Sequence, residues 1–506
     1  MIHTHEIKAA GTVAIGGRLD MRERVLASQD VDGLRYRQTL EHVLVPTEEA
    51  VSFEGEGLTQ AYVVFGQPGA GKTYFIRHVL QQLLALDEDN PERRFGGLII
   101  DPKGDYPRFV SDALKGSPHR KTVPPIIIYP GMAKPINLLH CGLSPDSLAK
   151  VISASVSALA KGADEYFHNN LAVVLSSLLT AEHAVARHEK GHKAPSMRFL
   201  LEVLSGFDED AAGQRTRKLE THVKDLHFLL GKNSRIEWPA EERAEVQRCI
   251  DNLSSFLNEE KSYVVVQLFK QAFEAFQKLG FLSGEIDLDR SNIYDDIINN
   301  GRVVSVSVPP SETYARAVFT LMKNIFEKVV LDRFARYSDT PGPAKISNKV
   351  RPVFLICDEY HLSASDSPES GVGDSTFLSL ARAFGCFSLF ATQGLDQLKN
   401  SAIGDRWEAI IGLFRAKFFF TVGDTSTASL ACELAGEEQA LFVGTSLNEG
   451  RDGKSWGSSD QLTTKQHLPK YIVLRSLARG HAAIVGTLDG RSTPEVNLVK
   501  IGGFAQ

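Results

Sequence analysis

The chain is poor in cysteine. The five it has among 506 residues (Cys141, Cys249, Cys357, Cys386 and Cys432) are scattered, with no C-x-x-C spacing. That excludes a disulfide framework or a zinc site and points to a reducing compartment. Long apolar runs are also missing. The longest candidate, Leu171 to Leu179, is broken by Ser176 and Ser177 and falls well short of the roughly 18 residues of a spanning helix. The first ten residues lack the apolar core of a secretory signal. Positive charge is not in excess: 56 Lys and Arg against 62 Asp and Glu leave a net charge of −6, so any contact with nucleic acid has to be local, through a loop or a pore. No internal repeat is present. What remains is ordinary: 43% hydrophobic and 23% charged residues describe a soluble globular chain long enough for two or three domains.

The most informative string is Gly66-Gln67-Pro68-Gly69-Ala70-Gly71-Lys72-Thr73, a complete G-x-x-x-x-G-K-[ST] phosphate loop. It follows the apolar run Ala61 to Phe65 and precedes a helical pattern from Tyr74 to Leu84, which is the strand–loop–helix setting the motif requires. Glycines let backbone N–H groups face phosphate oxygens, and the helix start adds partial positive charge. Gly66 through Tyr74 are the expected nucleotide-binding residues. Lys72 is expected to reach the β- and γ-phosphates of ATP, and Thr73 to hold Mg²⁺. A glycine-rich turn with an ordinary surface lysine would not need this context.

The patterning divides the chain. Residues 1–60 form an N-terminal extension, with a strand and turn over Gly11–Gly17, a helix over Met21–Ser28 and a strand at Val43–Val45. Residues 61–143 begin an α/β core, with further strands at Leu98–Asp101 and Pro125–Tyr129 that imply a mainly parallel sheet. Residues 144–290 show helical periodicity only, as in Leu171, Val174, Leu175 and Leu178, and form an inserted all-α domain. Residues 291–506 resume the core and end in a C-terminal tail. Strands are expected at Val303–Val308, Val353–Cys357, Phe387–Thr392, Lys417–Thr421, Tyr471–Leu474 and Ala482–Val485. Between the first two lies a long helix, capped by Ser311 and reaching about Arg336. Thr340–Lys349, Ser363–Ser375 and Asn448–Ser459 read as mobile loops.

The strand Val353–Cys357 ends in Asp358-Glu359, the form of a Walker B strand. Asp358 is expected in the Mg²⁺ shell, and Glu359 is expected to orient and deprotonate the attacking water. The next strand ends at Gln393, where a polar side chain can sense the γ-phosphate or position water. Arg382 lies eleven residues earlier on the intervening helix. It can supply transition-state charge to a neighbouring subunit's nucleotide. Arg351 and Arg415 are weaker candidates for that role.

Several strings together resemble the HerA–FtsK superfamily of ring-forming P-loop motors, most of all the coupling ATPases of conjugation and type IV secretion. They are Asp101-Pro102-Lys103-Gly104-Asp105, Ile136-Asn137-Leu138-Leu139, Val304 to Pro309, Cys357 to Tyr360, Leu380 to Gly385 running into Phe390 to Leu395, and Gly423 to Ala428. The resemblance implies a RecA-like core carrying the all-α insert. It implies a Mg²⁺-ATP-hydrolysing hexamer with nucleotide between subunits and single- or double-stranded DNA, or a protein–DNA substrate, in the pore. Arg382 matches the family's trans-acting arginine and Gln393 its motif III glutamine. Coupling proteins carry transmembrane helices ahead of the P-loop. None is seen here, so the chain is expected in the cytoplasm, at the inner membrane only through an anchor, relaxase or secretion-channel partner. Pore-facing candidates are the loop His361–Thr376 and the basic residues Arg108, Lys115, Arg120 and Lys121. Two other readings stand beside translocation: a cytosolic ATPase that recruits protein effectors to a secretion channel, and a HerA-type motor subunit of a defence complex.

Overall fold

A computed structural model describes residues 11–29, 36–160, 165–188, 193–209, 215–231, 234, 236–279, 282, 284, 286, 292–337, 351–450, 453–489 and 494–502. In chain order the elements are β1 (Thr12–Gln29), β2 (Tyr36–Glu54), β3 (Ala61–Phe65), α1 (Lys72–Ala85), β4 (Gly96–Ile100), α2 (Pro107–Lys115) and β5 (Ile126–Ile128). There follow α3 (Pro145–Leu159), α4 (Glu165–His188), α5 (Met197–Ser205), the small hairpin β6 (Phe207–Glu209) and β7 (Arg215–Arg217), α6 (Lys218–Leu230), α7 (Ala240–Asn258) and α8 (Ser262–Phe273). The core resumes with α9 (Ile293–Asn300), β8 (Val303–Val306), α10 (Ala315–Tyr337), β9 (Val353–Cys357), β10 (Asp366–Ser367), β11 (Val372–Gly373), α11 (Asp374–Leu380) and β12 (Cys386–Thr392). The chain closes with α12 (Leu395–Lys399), α13 (Trp407–Leu413), β13 (Ala416–Phe419), α14 (Thr425–Ala435), β14 (Glu437–Gly450), β15 (Gly453–Gln466), β16 (His481–Gly486) and β17 (Glu495–Ile501).

Eleven strands make one sheet in the order β2-β1-β17-β16-β13-β3-β12-β9-β4-β8-β5. From β13 to β5 all neighbours run parallel, and from β13 to β2 all are antiparallel. Alternating side chains serve two cores. Val63 and Phe65, with Leu355 and Phe390, pack towards α10 and the helical insert. Tyr62 and Val64, with Phe354 and Leu389, pack towards α1 and α2. The parallel strands are apolar on both faces because both are covered.

Several local readings are corrected. Met21–Ser28 is strand, not helix: β1 pairs residue by residue with β2 from Met21 opposite Leu44 to Gln29 opposite Tyr36. Eight residues of helix would not hold alone, whereas pairing with β2 satisfies the backbone groups along one edge of the strand. Asn448–Ser459 is not a loop, since its described residues lie in the β14–β15 ribbon. Tyr471–Leu474 is not a strand: Ile472–Ser476 make a π-helical turn, which buries Ile472 and Val473 equally well. The long helix starts at Ala315 and not after Ser311, because turns bonded from Glu312 to Pro309 and from Ala315 to Glu312 come first. Thr340–Lys349 lies outside the described residues.

The segment Ser363–Ser375 is a pinned hairpin, not a mobile loop. Its anchor is Asp374, wholly buried, which pairs with the equally buried Lys323 of α10. The same carboxylate accepts from the Tyr360 hydroxyl at 2.7 Å and the Ser365 N–H at 2.9 Å. Beside it, Ser365 donates to Asn324 at 2.7 Å, and Asn324 donates to Ser155 of α3 at 3.1 Å, so the hairpin is tied into the insert. Replacing Lys323 by methionine is expected to cost about 3–5 kcal/mol, because Asp374 is left buried without a cation. The denaturant midpoint checks this: it should fall for Lys323→Met and recover in part when Asp374→Asn is added. An unchanged midpoint for the single variant would refute the account.

Candidate nucleotide site

The phosphate loop joins the fully buried β3 to α1. Gly69 and Gly71 take φ of +81° and +118°, which side-chain-bearing residues rarely adopt. At Gly66 a Cβ would lie 2.8 Å from that of Phe420, so the loop packs too closely on the end of β13 for any other residue. The Gln67 N–H donates to the Thr421 carbonyl at 2.8 Å and the Gly480 N–H to the Ala70 carbonyl at 3.1 Å. These bonds hold both shoulders, while the apex Gln67, Pro68 and Gly69 stays exposed. Gly71 caps α1 with no side chain, so the first-turn N–H groups have no side-chain cap. Lys72 is 5% exposed, and its Nζ donates back to the Gly66 carbonyl. Burial lowers its pKa. Glu359 opposes that shift, and Lys103 adds to it.

At the C-terminal end of β9, two strands from β3, Asp358 is wholly buried. It accepts from the Glu359 N–H at 3.0 Å, and the Tyr106 hydroxyl lies at 3.4 Å. Burial raises its pKa to about 6, partly offset by Lys103. Such a carboxylate, close enough to Lys72 of the phosphate loop to feel its charge, suits a divalent cation that would restore its own. Among the described residues no cluster of three His, Cys, Asp or Glu is present.

Glu359 is 4% exposed and sits at φ +50°, a left-handed conformation unusual for a non-glycine residue. Its Oε1 pairs with Lys103. Gln393 Nε2 lies 3.1 Å from Oε1 and 3.2 Å from Oε2, and His361 Nδ1 lies 3.6 Å from Oε2. Burial would raise the Glu359 carboxyl, but Lys103, Gln393 and His361 outweigh it and hold it below the ordinary range. The structure therefore brings together the loop Gly66–Thr73, Asp358, Glu359 and Gln393.

It also adds Lys103 and His361, which sequence reasoning left out as site residues. The signal for Lys103 was the string Asp101 to Asp105. There the buried Asp101 carboxylate accepts from the N–H groups of Asp105 at 3.1 Å and Tyr106 at 2.9 Å, and from Ser307 at 3.0 Å. These bonds bend the chain after β4 and aim Lys103 at β9.

Other expected residues lie elsewhere. Arg382 is not on a helix: α11 stops at Leu380, and Arg382 sits in the turn before β12. It is therefore at the N-terminal edge of the parallel strands, opposite the phosphate loop, and pairs with Glu56 at 2.6 Å. Exposed Arg415, bonded through its N–H to the Ala61 carbonyl at 2.8 Å, shares that edge. Arg351 is buried and spends its guanidinium on the carbonyls of Ile298, Asn299, Arg94 and Pro91, the first two at the C-terminal end of α9. Arg120, 2% exposed, donates to the Gly301 carbonyl and has no access to a DNA backbone. Arg108 and Lys115 are exposed but flank Asp112, at 3.7 and 3.5 Å.

Residues 48–280 match the family described as Helicase HerA, central domain, and residues 374–476 the one described as TraM recognition site of TraD and TraG. No curated protein matches the sequence. Among solved structures, the unbound bacterial conjugative coupling protein TrwB is similar over 90% of this chain and 88% of its own, with a TM-score of 0.57 at 13% identity. TrwB in complex with the ATP analogue ADPNP gives 0.56 at 14% identity, over 89% and 87% of the two chains. TrwB with ADP and Mg²⁺ gives 0.54 at 14% identity, over 98% and 97%. Among the described residues no helix is long and apolar enough to cross a membrane.

Proposed function

We propose that this chain, a P-loop ATPase of the HerA–FtsK coupling-protein type, is one subunit of a head-to-tail ring that hydrolyses Mg²⁺-ATP to move DNA, or a protein–DNA substrate, in conjugation or type IV secretion. The observation that carries the ring is the division of the site. The phosphate loop, Asp358, Glu359 and Gln393 meet at one edge of the sheet, and Arg382 is exposed at the other. A heterologous interface sets opposite faces of identical subunits against each other, so a residue that completes a neighbour's site belongs on the far edge.

Within one subunit the geometry supports a division of roles. Backbone N–H groups of Gly66 to Tyr74, with Lys72, would cradle the phosphates. Thr73 and Asp358 would hold Mg²⁺, which neutralises charge on the phosphates. Glu359 is the base for the attacking water, and Gln393, touching both its oxygens, fixes its orientation. Asp374, through Tyr360, and Asn324, through Ser155, connect that segment to the insert. A helical domain gripping substrate or partner would thus be mechanically joined to the base. The matched TraM-recognition description covers residues 374–476, which supports a docking role there for a relaxosome or channel protein, and with it a place at the inner membrane through a partner.

The test is ATPase rate with and without single- and double-stranded DNA, together with particle mass with and without ATP. The expected result is stimulation by at least one form of DNA that falls steeply with salt, in particles several chains in size. Turnover indifferent to every DNA, with a protein partner captured instead, would replace translocation by recruitment of protein effectors.

A further inference from the structure

We propose that Lys103 is a positioning residue that exchanges partners: it holds Glu359 while no terminal phosphate is present, and transfers to that phosphate when ATP binds, releasing Glu359 to the water. The proposal rests on the reading of the pocket as an ATP site.

Three observations carry it. First, the loop bearing Lys103 is fixed at both ends and open at its tip. Asp101 pins the root through three donors, and Arg77 of α1 donates to the Asp105 carbonyl, with its carboxylate at 3.7 Å. Between them Gly104 has φ +72° and no atom within 4 Å of where a Cβ would lie. The tip can therefore swing without disturbing β4 or α1. Second, Lys103 is 41% exposed while its partner Glu359 is 4% exposed, so the cation reaches in from the solvent side of the pocket onto a buried acid. Third, both oxygens of Glu359 are engaged. Lys103 takes Oε1, and Gln393 contacts both oxygens, at 3.1 and 3.2 Å. A carboxylate engaged in this way leaves little room for a water to bond to it, and freeing Oε1 opens that place. Lys72 and Lys103 both lie close enough to Glu359 to feel its charge, and Lys103 lies close enough to Lys72 to disfavour its charged form. Two lysines facing one base make a pocket that gains by admitting a multiply charged phosphate, and Lys103 is the one with room to move.

The exchange has a signature that a structural support lacks. ADP has no terminal phosphate for Lys103 to reach, whereas a non-hydrolysable ATP analogue has one. Calorimetric titration of the full chain with each, in the presence of Mg²⁺, is the experiment, on wild type, Lys103→Ala, Glu359→Gln and the double variant. Lys103→Ala is expected to leave ADP affinity within about twofold and to weaken the analogue by about tenfold or more, the worth of a charge-assisted hydrogen bond. Glu359→Gln removes the ion pair without removing Lys103, and should tighten the analogue several-fold, whereas in the Lys103→Ala background it should change nothing. That non-additivity measures the exchange directly. Equal losses for ADP and the analogue, or strictly additive effects, would overturn the proposal and make Lys103 a prop of the pocket. Failure of the wild type to bind either nucleotide would remove the site itself, a distinct outcome read from the same titrations.

Discussion

Glu359→Gln is expected to lower ATP turnover by about 10²- to 10⁴-fold, the range for losing a positioned general base, while nucleotide binding persists. At about 1.4 kcal/mol per factor of ten, that is about 3–5 kcal/mol of transition-state stabilisation. The geometry justifies assigning so large a loss to one atom pair. Glu359 is the buried acid that Gln393 contacts at both oxygens, whereas Asp358 accepts from the Glu359 N–H and is placed for the metal. Glutamine keeps the shape and can still bond Gln393, so the loop that carries it should stay folded. It cannot take a proton. Single-turnover hydrolysis measured beside equilibrium binding separates the two properties. A variant that binds ATP and turns it over at the full rate would remove Glu359 from the chemistry.

Most of the core was legible because its signals are local. The loop Gly66–Thr73, the strand ending in Asp358-Glu359 and the helices of the insert each show in a short window, by spacing or by 3.6-residue periodicity. What stayed hidden depends on distant partners. Met21–Ser28 has the composition of a helix and becomes strand because β2 offers it a ladder. Ser363–Ser375 has the composition of a loop and is fixed because Asp374 meets Lys323, some fifty residues earlier in the chain. Its hydroxyls read as solvent-seeking, yet Ser363 and Ser365 are buried and bonded to Tyr360 and Asn324. Lys103 stood inside a motif noticed for its resemblance alone. Its reach to Glu359 requires the β4–β9 pairing that only the folded sheet supplies.

Arg382→Ala is expected to have a comparable or larger effect on turnover, about 10³-fold or more, the lower end for an arginine acting across a subunit boundary. Its pair with Glu56 does not account for such a loss. The pair with Glu56 joins a half-exposed guanidinium to a carboxylate at 2.6 Å, an arrangement worth at most about 1 kcal/mol to stability. Nor can Arg382 reach its own phosphate loop, since the seven-residue β12 separates it from Gln393, about 20 Å along a strand. A thermal midpoint near wild type with turnover nearly abolished would therefore place the defect in a neighbour's site. Mixing makes the inference decisive. Lys72→Ala chains have a ruined loop and a sound Arg382, and Arg382→Ala chains have the reverse. In a randomly mixed head-to-tail ring, about a quarter of the interfaces pair a sound loop with a sound arginine. Two inactive proteins should then recover measurable ATPase when co-assembled. No recovery, in rings shown by mass to contain both chains, would mean that Arg382 serves its own subunit's fold and that the charge in the transition state comes from elsewhere.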